Sequence, residues 1–203
     1  MPYRSTPKTE ARKDARRKLW LETATRLFGE RGYHAATVPM IVAEAGGSTG
    51  SFYMYFRNKE DVFVAALEAL GEQITATMDQ ARAENADPVS AMRAAVESLF
   101  LFLARNPREA RIMIVESSGL SPRLEQVRRS VLARHAERVV ETLRSDPATF
   151  PAAYPEVAAR CMVGAVFESL YTWLETAERE RLPAEEVARV TAEYNIAAVT
   201  GRR

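Results

Sequence analysis

Three dipeptides that place a capping side chain before a proline constrain the fold of this chain most: Asp87-Pro88, Asn106-Pro107 and Ser121-Pro122. The first residue of each pair is suited to accept a hydrogen bond from a free amide of the following turn. Proline suits the first helical position, because an amide there would be unpaired anyway. Each pair therefore marks a helix start, and we predict helices near 88–105, 107–117 and 122–145.

The segments on either side also have a helical period. A first helix is predicted over about 11–31 and ends at Gly32, which tolerates the left-handed backbone of a helix C-terminus. Its apolar residues share one face: Trp20, Ala24, Leu27 and Phe28. After the proline-rich loop 146–155, helices are predicted over 156–180 and 184–199. Because no period-two alternation persists between turn signals, we predict an all-α fold of about nine helices.

Between the first helix and residue 74 the sequence predicts two short helices followed by a long one. Thr37 is a suitable N-cap for the first short helix, which the run Ala45-Gly46-Gly47 ends. Ser48 then caps the second, and Asn58 caps the long helix. Two short helices joined by a glycine turn and flanked by longer ones have the organisation of a helix-turn-helix, in which the second short helix enters the major groove of DNA.

Charge is unevenly distributed along the 203 residues, although the net charge is only +1. Residues 1–60 hold 11 basic and 6 acidic residues, a balance of +5, and all four lysines, whereas the remainder has a balance of −4. A basic N-terminal part on a mildly acidic body is typical of a protein that binds a polyanion through that part. A solvated tail without a partner is the alternative.

Composition limits the class of protein. Hydrophobic residues make up 47% of the chain, enough for a core, and no run approaches the roughly 18 apolar residues of a membrane span. The N-terminus has no apolar signal region, and the single cysteine excludes an internal disulfide framework. We therefore expect a cytoplasmic protein. Cys161 lies in an apolar stretch and is predicted to be buried and unreactive.

The second short helix has side chains suited to DNA. Ser48, Thr49 and Ser51 are short donors and acceptors near a helix N-terminus, and Gly50 lets the backbone approach closely. Two tyrosines offer hydroxyls for phosphates. A lysine follows the Asn58 cap, where the helix dipole disfavours a cation, so an external anion is a plausible reason for it.

The run from Thr37 to Val62, with Ala24, Leu27, Phe28, Gly32 and Tyr33 upstream, resembles the TetR/AcrR family of bacterial regulators. The matching positions cover roughly residues 14–74. The resemblance implies an all-helical homodimer with a three-helix DNA-binding head, completed by the fourth helix, on a larger body. The implied domains are a flexible basic arm at 1–13, a DNA-binding domain at 14–74, and a ligand-binding and dimerisation domain at 75–203.

The resemblance also assigns roles to individual residues. Phosphate contacts fall to Thr37, Ser48, Tyr53, Tyr55 and Lys59, and base contacts to Thr49, Gly50 and Ser51. Phe52 and Phe56 are expected in the core instead. Gly47 departs from the family, which usually has an apolar residue there to pack the two short helices together, so a less braced turn is predicted. The segment lacks the Arg, Asn or Gln that make bidentate base contacts, which predicts readout by smaller contacts and DNA shape.

The N-terminal basic residues offer a second set of DNA contacts, to phosphates or to an adjacent minor groove. These residues are Arg4, Lys8, Arg12, Lys13, Arg16, Arg17 and Lys18. A solvated arm that contacts nothing is an equal alternative.

In the body, the family resemblance implies a homodimer through the two C-terminal helices, with small residues Gly164, Ala165 and Ser169 allowing close approach. The last helix adds Val187, Val190, Tyr194 and Ala197, although an ordinary intrachain core would use the same pattern. Two heads about one DNA turn apart, ~34 Å, would bind a palindromic operator.

A pocket for an unidentified, hydrophobic effector is predicted among Phe100, Met113, Glu116, His135, Phe167, Tyr171 and Trp173. For most of these side chains a plain core is the more usual explanation, because aromatic and Met residues at helical spacing generally belong to one. His135 is also compatible with an exposed position.

The sequence thus predicts a DNA-binding transcriptional regulator, a repressor released from its operator by a small ligand. Three alternatives stay open: a DNA-binding adaptor controlled by a protein partner, an activator with the same fold, and an enzyme. For the enzyme we find no catalytic, metal or cofactor motif, since the two histidines are about a hundred positions apart and no phosphate-binding glycine loop occurs.

Overall fold

The computed structural model describes residues 7–117 and 119–201, and within them the chain forms nine α-helices and no strand. The bounds are α1 Pro7–Ala35, α2 Val38–Glu44, α3 Thr49–Tyr53, α4 Lys59–Ala83, α5 Pro88–Arg105, α6 Pro107–Arg111, α7 Pro122–Ser145, α8 Pro155–Glu175 and α9 Ala184–Thr200. A π-helical turn over Ile112–Glu116 follows α6, and a 3-10 turn over Glu178–Glu180 follows α8. The predicted all-α class is confirmed.

The predicted caps of the N-terminal helices are confirmed. Thr37, Ser48 and Asn58 each have an extended backbone, and each side chain accepts a hydrogen bond from an amide three residues later. The distances from donor to acceptor are 3.4, 3.2 and 2.8 Å. Because these bonds satisfy amides that a helix start leaves unpaired, the three starts are defined locally by the sequence.

Of the three pairs that end in proline, two behave as predicted. Asp87 and Ser121 cap α5 and α7, accepting hydrogen bonds at 2.7 and 3.2 Å. Asn106 differs, because its Nδ2 donates to the carbonyl of Phe102 at 2.7 Å and so closes the end of α5. The helix predicted over 107–117 also differs, since regular α-helix ends at Arg111 and the π-helical turn completes it.

The first helix is longer than predicted and takes in part of the expected flexible arm. Residues 7–13 are helical, whereas residues 1–6, Arg4 among them, lie outside the described part. A run free of Gly and Pro, with i,i+3 and i,i+4 pairs such as Lys13–Glu10 and Lys18–Glu22, favours that extension. Gly32 breaks the helix near its end with φ 79° and ψ 161°, a backbone open almost only to glycine but not the left-handed helical conformation predicted for it.

Two buried clusters hold the helices together. The larger runs without interruption from α1–α3, which we call the head, through α4 into the rest of the chain, which we call the body. The smaller lies among α5, α7, α8 and α9 and centres on Leu143, Phe150 and Ala159. Since α4 packs against α1 of the head and against α5 and α7 of the body, it links the two. None of the helices in the described ranges is long and apolar enough to cross a membrane.

Candidate nucleic-acid interface

The turn between α2 and α3 presents the residues predicted to contact bases. Gly46 has φ 61°, and the amide of Gly47 donates to the carbonyl of Val42 at 3.2 Å, which folds the chain back sharply. Beyond it, Thr49 and Gly50 are exposed and Ser51 is half-buried. A side chain at Gly50 would meet nothing within 4 Å, so the backbone of α3 is bare at this point.

The inner face of α3 is packed, as predicted for Phe52 and Phe56, which are both buried. The ring of Trp20 in α1 meets Phe52 edge-on, with ring centroids 5.7 Å apart. The same indole occupies the space beside Gly47 that a side chain there would need. The prediction of a less braced turn is therefore wrong, because a side chain from α1 fills the position that an apolar residue at 47 would take.

The predicted phosphate contacts have different surroundings. Tyr53 is 51% exposed and Thr37 and Ser48 are exposed at their caps, so these three are open to an external partner. Tyr55 is half-buried beside the first turns of α1. Whether each of them contacts DNA stays a prediction.

Contacts within the protein explain the position of Lys59 at the start of α4. Its Nζ donates to the carbonyls of Tyr33 at 2.7 Å and Ala36 at 3.0 Å, with His34 at 3.4 Å, and lies 4.2 Å from the centre of the Tyr33 ring. Burial lowers the pKa of this lysine. The ammonium therefore holds the end of α1 against α4, and its contact with a phosphate stays a prediction.

The basic start of α1 lies directly beside α3. Arg12, Lys13 and Arg16 line one groove together with Ser51 and Tyr55. Because residues 7–13 are helical, these charges are held at fixed positions relative to α3, which a flexible arm would not do. The groove joins the two regions that the sequence predicted separately as DNA contacts.

Glu116, predicted in a ligand pocket, instead lies at the junction of head and body. Its Oε2 accepts from the backbone amide of Tyr33 at 2.9 Å, and its Oε1 accepts from Arg111 Nε at 3.1 Å. This carboxylate takes up an amide left free by the break at Gly32. Sequence analysis missed the contact, because nothing local signals a partner 83 residues away.

A second polar contact joins head and body at the start of α4. Asp61 Oδ1 accepts from Arg123 Nη1 of α7 at 2.6 Å, and Asp61 Oδ2 accepts from Arg57 Nε at 2.8 Å. The hydrogen bond from Arg57, together with that from Arg123, lowers the pKa of Asp61 to about 2. Because Asp61 Oδ2 also accepts a hydrogen bond from the backbone amide of Arg57, it holds the loop that leads out of α3.

The residues predicted to line a pocket do not come together. Phe100 and Met113 are buried in the large core cluster, Tyr171 is 45% exposed on α8, and Phe167 and Trp173 border separate surface grooves. Only His135 lines an interior cavity, and it is buried.

That cavity lies where the two buried clusters meet, between α4, α5, α7, α8 and α9. Its volume is about 30 Å³, and its walls are mostly apolar: Met78, Met92, Val96, Leu99, Val139 and Met162. Three polar side chains share it, Arg82, His135 and Asn195. The sequence marked Met and aromatic residues as candidates but gave no sign of which ones face each other.

Cys161 is exposed, so the prediction that it is buried is wrong. The buried stripe of α8 runs through Ala159, Met162, Val166 and Leu170, and position 161 lies beside it on the outer face.

The head matches a known family model. Residues 21–66 match the model of the bacterial regulatory proteins of the tetR family. This range contains the second half of α1, all of α2 and α3, and the first turns of α4.

Solved structures similar to the whole chain share its fold. FadR from Bacillus subtilis, in complex with stearoyl-CoA, is 20% identical with a TM-score of 0.78, covering 90% of this chain and 98% of that one. A TetR/AcrR-family regulator from Thermobifida fusca YX-ER1 is 25% identical with a TM-score of 0.70, covering 93% and 99%. AibR, in complex with isovaleryl coenzyme A and operator DNA, is 21% identical with a TM-score of 0.69, covering 91% and 98%.

Proposed function

We propose that this chain, whose residues 21–66 match the model of the bacterial regulatory proteins of the tetR family, is a dimeric repressor that a small apolar ligand releases from a palindromic operator. The observation that carries this proposal is the exposed, polar face of α3, braced from behind by Trp20 and Phe52. A short helix with bare backbone at Gly50 and hydroxyls beside it is suited to the major groove. The basic groove of Arg12, Lys13 and Arg16 supplies phosphate contacts next to it.

An exposed apolar stripe on the last two helices supports the homodimer. On α9, Val190 is 51% and Tyr194 68% exposed, and Ala197 continues the same face. On α8, Val157 and Tyr171 are exposed at a spacing that places Gly164 between them, where a side chain would meet nothing. Two apolar faces of this kind, one on each helix, fit a four-helix interface with a second copy of the chain.

The cavity supports control by a small ligand. It adjoins α4, through Met78 and Arg82, and α4 starts beside the head, where Lys59 bonds to the end of α1. A ligand that enlarges the cavity would displace the far end of α4, and the contacts of Lys59, Asp61 and Glu116 would pass that movement to α1 and α3. Two of the similar structures hold acyl thioesters of coenzyme A and one holds operator DNA, which supports both halves of the proposal.

The operator is the first thing to determine. We would select bound sequences from a random DNA library with the full chain and then measure affinities by fluorescence anisotropy. The proposal expects a palindromic consensus whose half-sites lie about one helical turn, ~34 Å, apart. A library that shows no enrichment over its starting composition would exclude sequence-specific binding.

The dimer is tested separately by sedimentation. Tyr194→Glu places a charge in the apolar stripe of α9, and we expect it to convert the protein to monomers and to weaken operator binding. Met54→Glu is the matched control, because Met54 is 79% exposed on the head and far from that stripe in sequence. A monomeric wild-type protein would contradict the proposed assembly.

A further inference from the structure

The interior cavity contains a polar group that the protein itself leaves unsatisfied. Asn195 is 1% exposed, and its Nδ2 has no hydrogen-bond partner among the described residues. Nearly all buried polar atoms in folded proteins have a partner, so an unpaired amide donor beside a cavity needs an explanation. A ligand with an acceptor oxygen would provide one.

The second polar group of the cavity carries a positive charge. Arg82 lies mostly buried near the end of α4, with its Nη1 3.7 Å from Asp79. Asp79 also pairs with Arg138 of α7, so one carboxylate serves two guanidinium groups. The pair of arginines therefore has one positive charge more than this carboxylate neutralises.

His135 does not change that balance. Burial, and after it the charges of Arg134, Arg138 and Arg82, lowers the pKa of His135 to about 4, so the ring is neutral at neutral pH. The polar residues of the cavity thus offer donors and a net positive charge. The other lining residues offer only hydrocarbon and thioether groups.

We propose that the cavity binds a small apolar monocarboxylate, with its hydrocarbon chain among Met78, Met92 and Met162 and its carboxylate between Asn195 and Arg82. The proposal rests on the proposed function, because it names the chemistry of the ligand that would release the repressor. A carboxylate satisfies the free donor of Asn195 and neutralises the excess charge of Arg82 with one group. An alcohol or an alkane satisfies at most one of these requirements.

The size of the cavity determines how such a ligand enters. A volume of about 30 Å³ holds little more than a water molecule. Met78, Met92 and Met162 line it, and methionine has three rotatable bonds that let it adapt to a new neighbour. The hydrocarbon chain of the ligand would therefore displace methionine side chains and push α4 away from α7 and α8. Binding and displacement of α4 become one event.

Titration calorimetry with the full chain tests this assignment. The probes are a series of straight-chain acids from butanoate to decanoate and the primary alcohols of the same chain length. We expect one member of the acid series to bind at least tenfold more tightly than its alcohol. No acid binding, or acids and alcohols binding equally, would overturn the proposal.

Two variants assign the anchor. Asn195→Leu replaces the unpaired amide by an apolar side chain of similar size, so we expect it to fold at least as stably as wild type while acid affinity falls about tenfold. Gln73→Leu makes the same exchange at an exposed site on α4 and should leave affinity unchanged. An Asn195→Leu protein that keeps full affinity would overturn the role of Asn195.

Operator release separates this inference from the proposed function. If the acid binds in calorimetry and lowers operator affinity, both stand. If it binds but leaves operator affinity unchanged, the ligand site stands and the proposed function fails. If no acid binds while the operator is still recognised, the ligand site fails and DNA binding stands.

Discussion

The indole of Trp20 lies against the backbone of Gly47 so closely that no larger residue fits there. A Cβ built at Gly47 would be 2.3 Å from Trp20 Cη2 and 2.5 Å from Cζ2, distances that side chains do not reach. Trp20 is fully buried, and its ring packs edge-on against Phe52. The turn between α2 and α3 is thus held from α1, and the indole at position 20 requires a glycine at position 47.

Gly47→Ala should destabilise the head, because the new methyl group forces the indole out of its site. We expect the free energy of unfolding to fall by about 1–3 kcal/mol, the usual cost of overpacking. In a Trp20→Phe background the alanine should cost less, since the clashing atoms are gone. Chemical denaturation of the four proteins in a double-mutant cycle measures the coupling, and additive effects would contradict it.

Gly50→Ala should separate stability from DNA binding. The position has free space around it and lies within α3, so alanine should raise the free energy of unfolding by up to about 1 kcal/mol. The same methyl group would stand between the backbone and the DNA, and operator affinity should fall. Anisotropy titrations and denaturation curves on the same preparation check both parts. Unchanged affinity would mean that the backbone at 50 does not approach the DNA.

Sequence patterns predicted the parts of the fold that depend on neighbours in the chain. The caps at Thr37, Ser48 and Asn58 follow from bonds that span three residues, and a single sequence contains all the information for them. The prediction of a less braced turn at Gly47 was wrong because the side chain that packs there, Trp20, comes from another helix. The cap predicted at Asn106 was wrong because its side chain can bond either to the helix before it or to the helix after it. The position of the Phe102 carbonyl decides for the helix before it.

The candidate sites show the same division. The helices and caps of the head were predicted from a short and continuous motif, whereas the cavity combines five helices. Met78, Arg82 and Asn195 lie on two helices more than a hundred residues apart, and periodicity alone does not indicate which faces meet. Their polar members, Arg82 and Asn195, also have the ordinary appearance of residues on a solvated helix face.

Lys59→Met tests whether Lys59 stabilises the fold, contacts a DNA phosphate, or does both. Losing its bonds to the carbonyls of Tyr33 and Ala36 should lower the free energy of unfolding by about 1–3 kcal/mol. If the ammonium also contacts a phosphate, the slope of log affinity against log salt should decrease by about 1. An unchanged slope with lowered stability would assign Lys59 a structural role alone. Lys59→Arg keeps the charge and should retain the salt slope.

Glu116→Ala should loosen the junction between head and body. The amide of Tyr33 loses its acceptor, which we expect to cost about 1–3 kcal/mol, the penalty of an unpaired buried donor. Native-state hydrogen exchange at Tyr33 should become faster, while amides in the middle of α7 keep their rates. Glu72→Ala, at an exposed position of α4, is the control and should leave the Tyr33 amide protected. Unchanged protection at Tyr33 in Glu116→Ala would contradict the contact.

His135 should make the stability of the body depend on pH in a window above that of the carboxylates. In the unfolded chain a histidine binds a proton near pH 6.5, but in the folded protein the pKa of His135 is about 4, because it is buried and faces Arg134 and Arg138 of α7 and Arg82 of α4, with Asp79 opposing them. The unfolded state therefore binds the proton first, and stability present above pH 6.5 is lost as the pH falls towards 4. The limit of this loss is about 3 kcal/mol. Denaturant titrations between pH 7 and pH 4 should show a shallower decline for His135→Gln than for wild type, and parallel curves would contradict a buried, neutral His135.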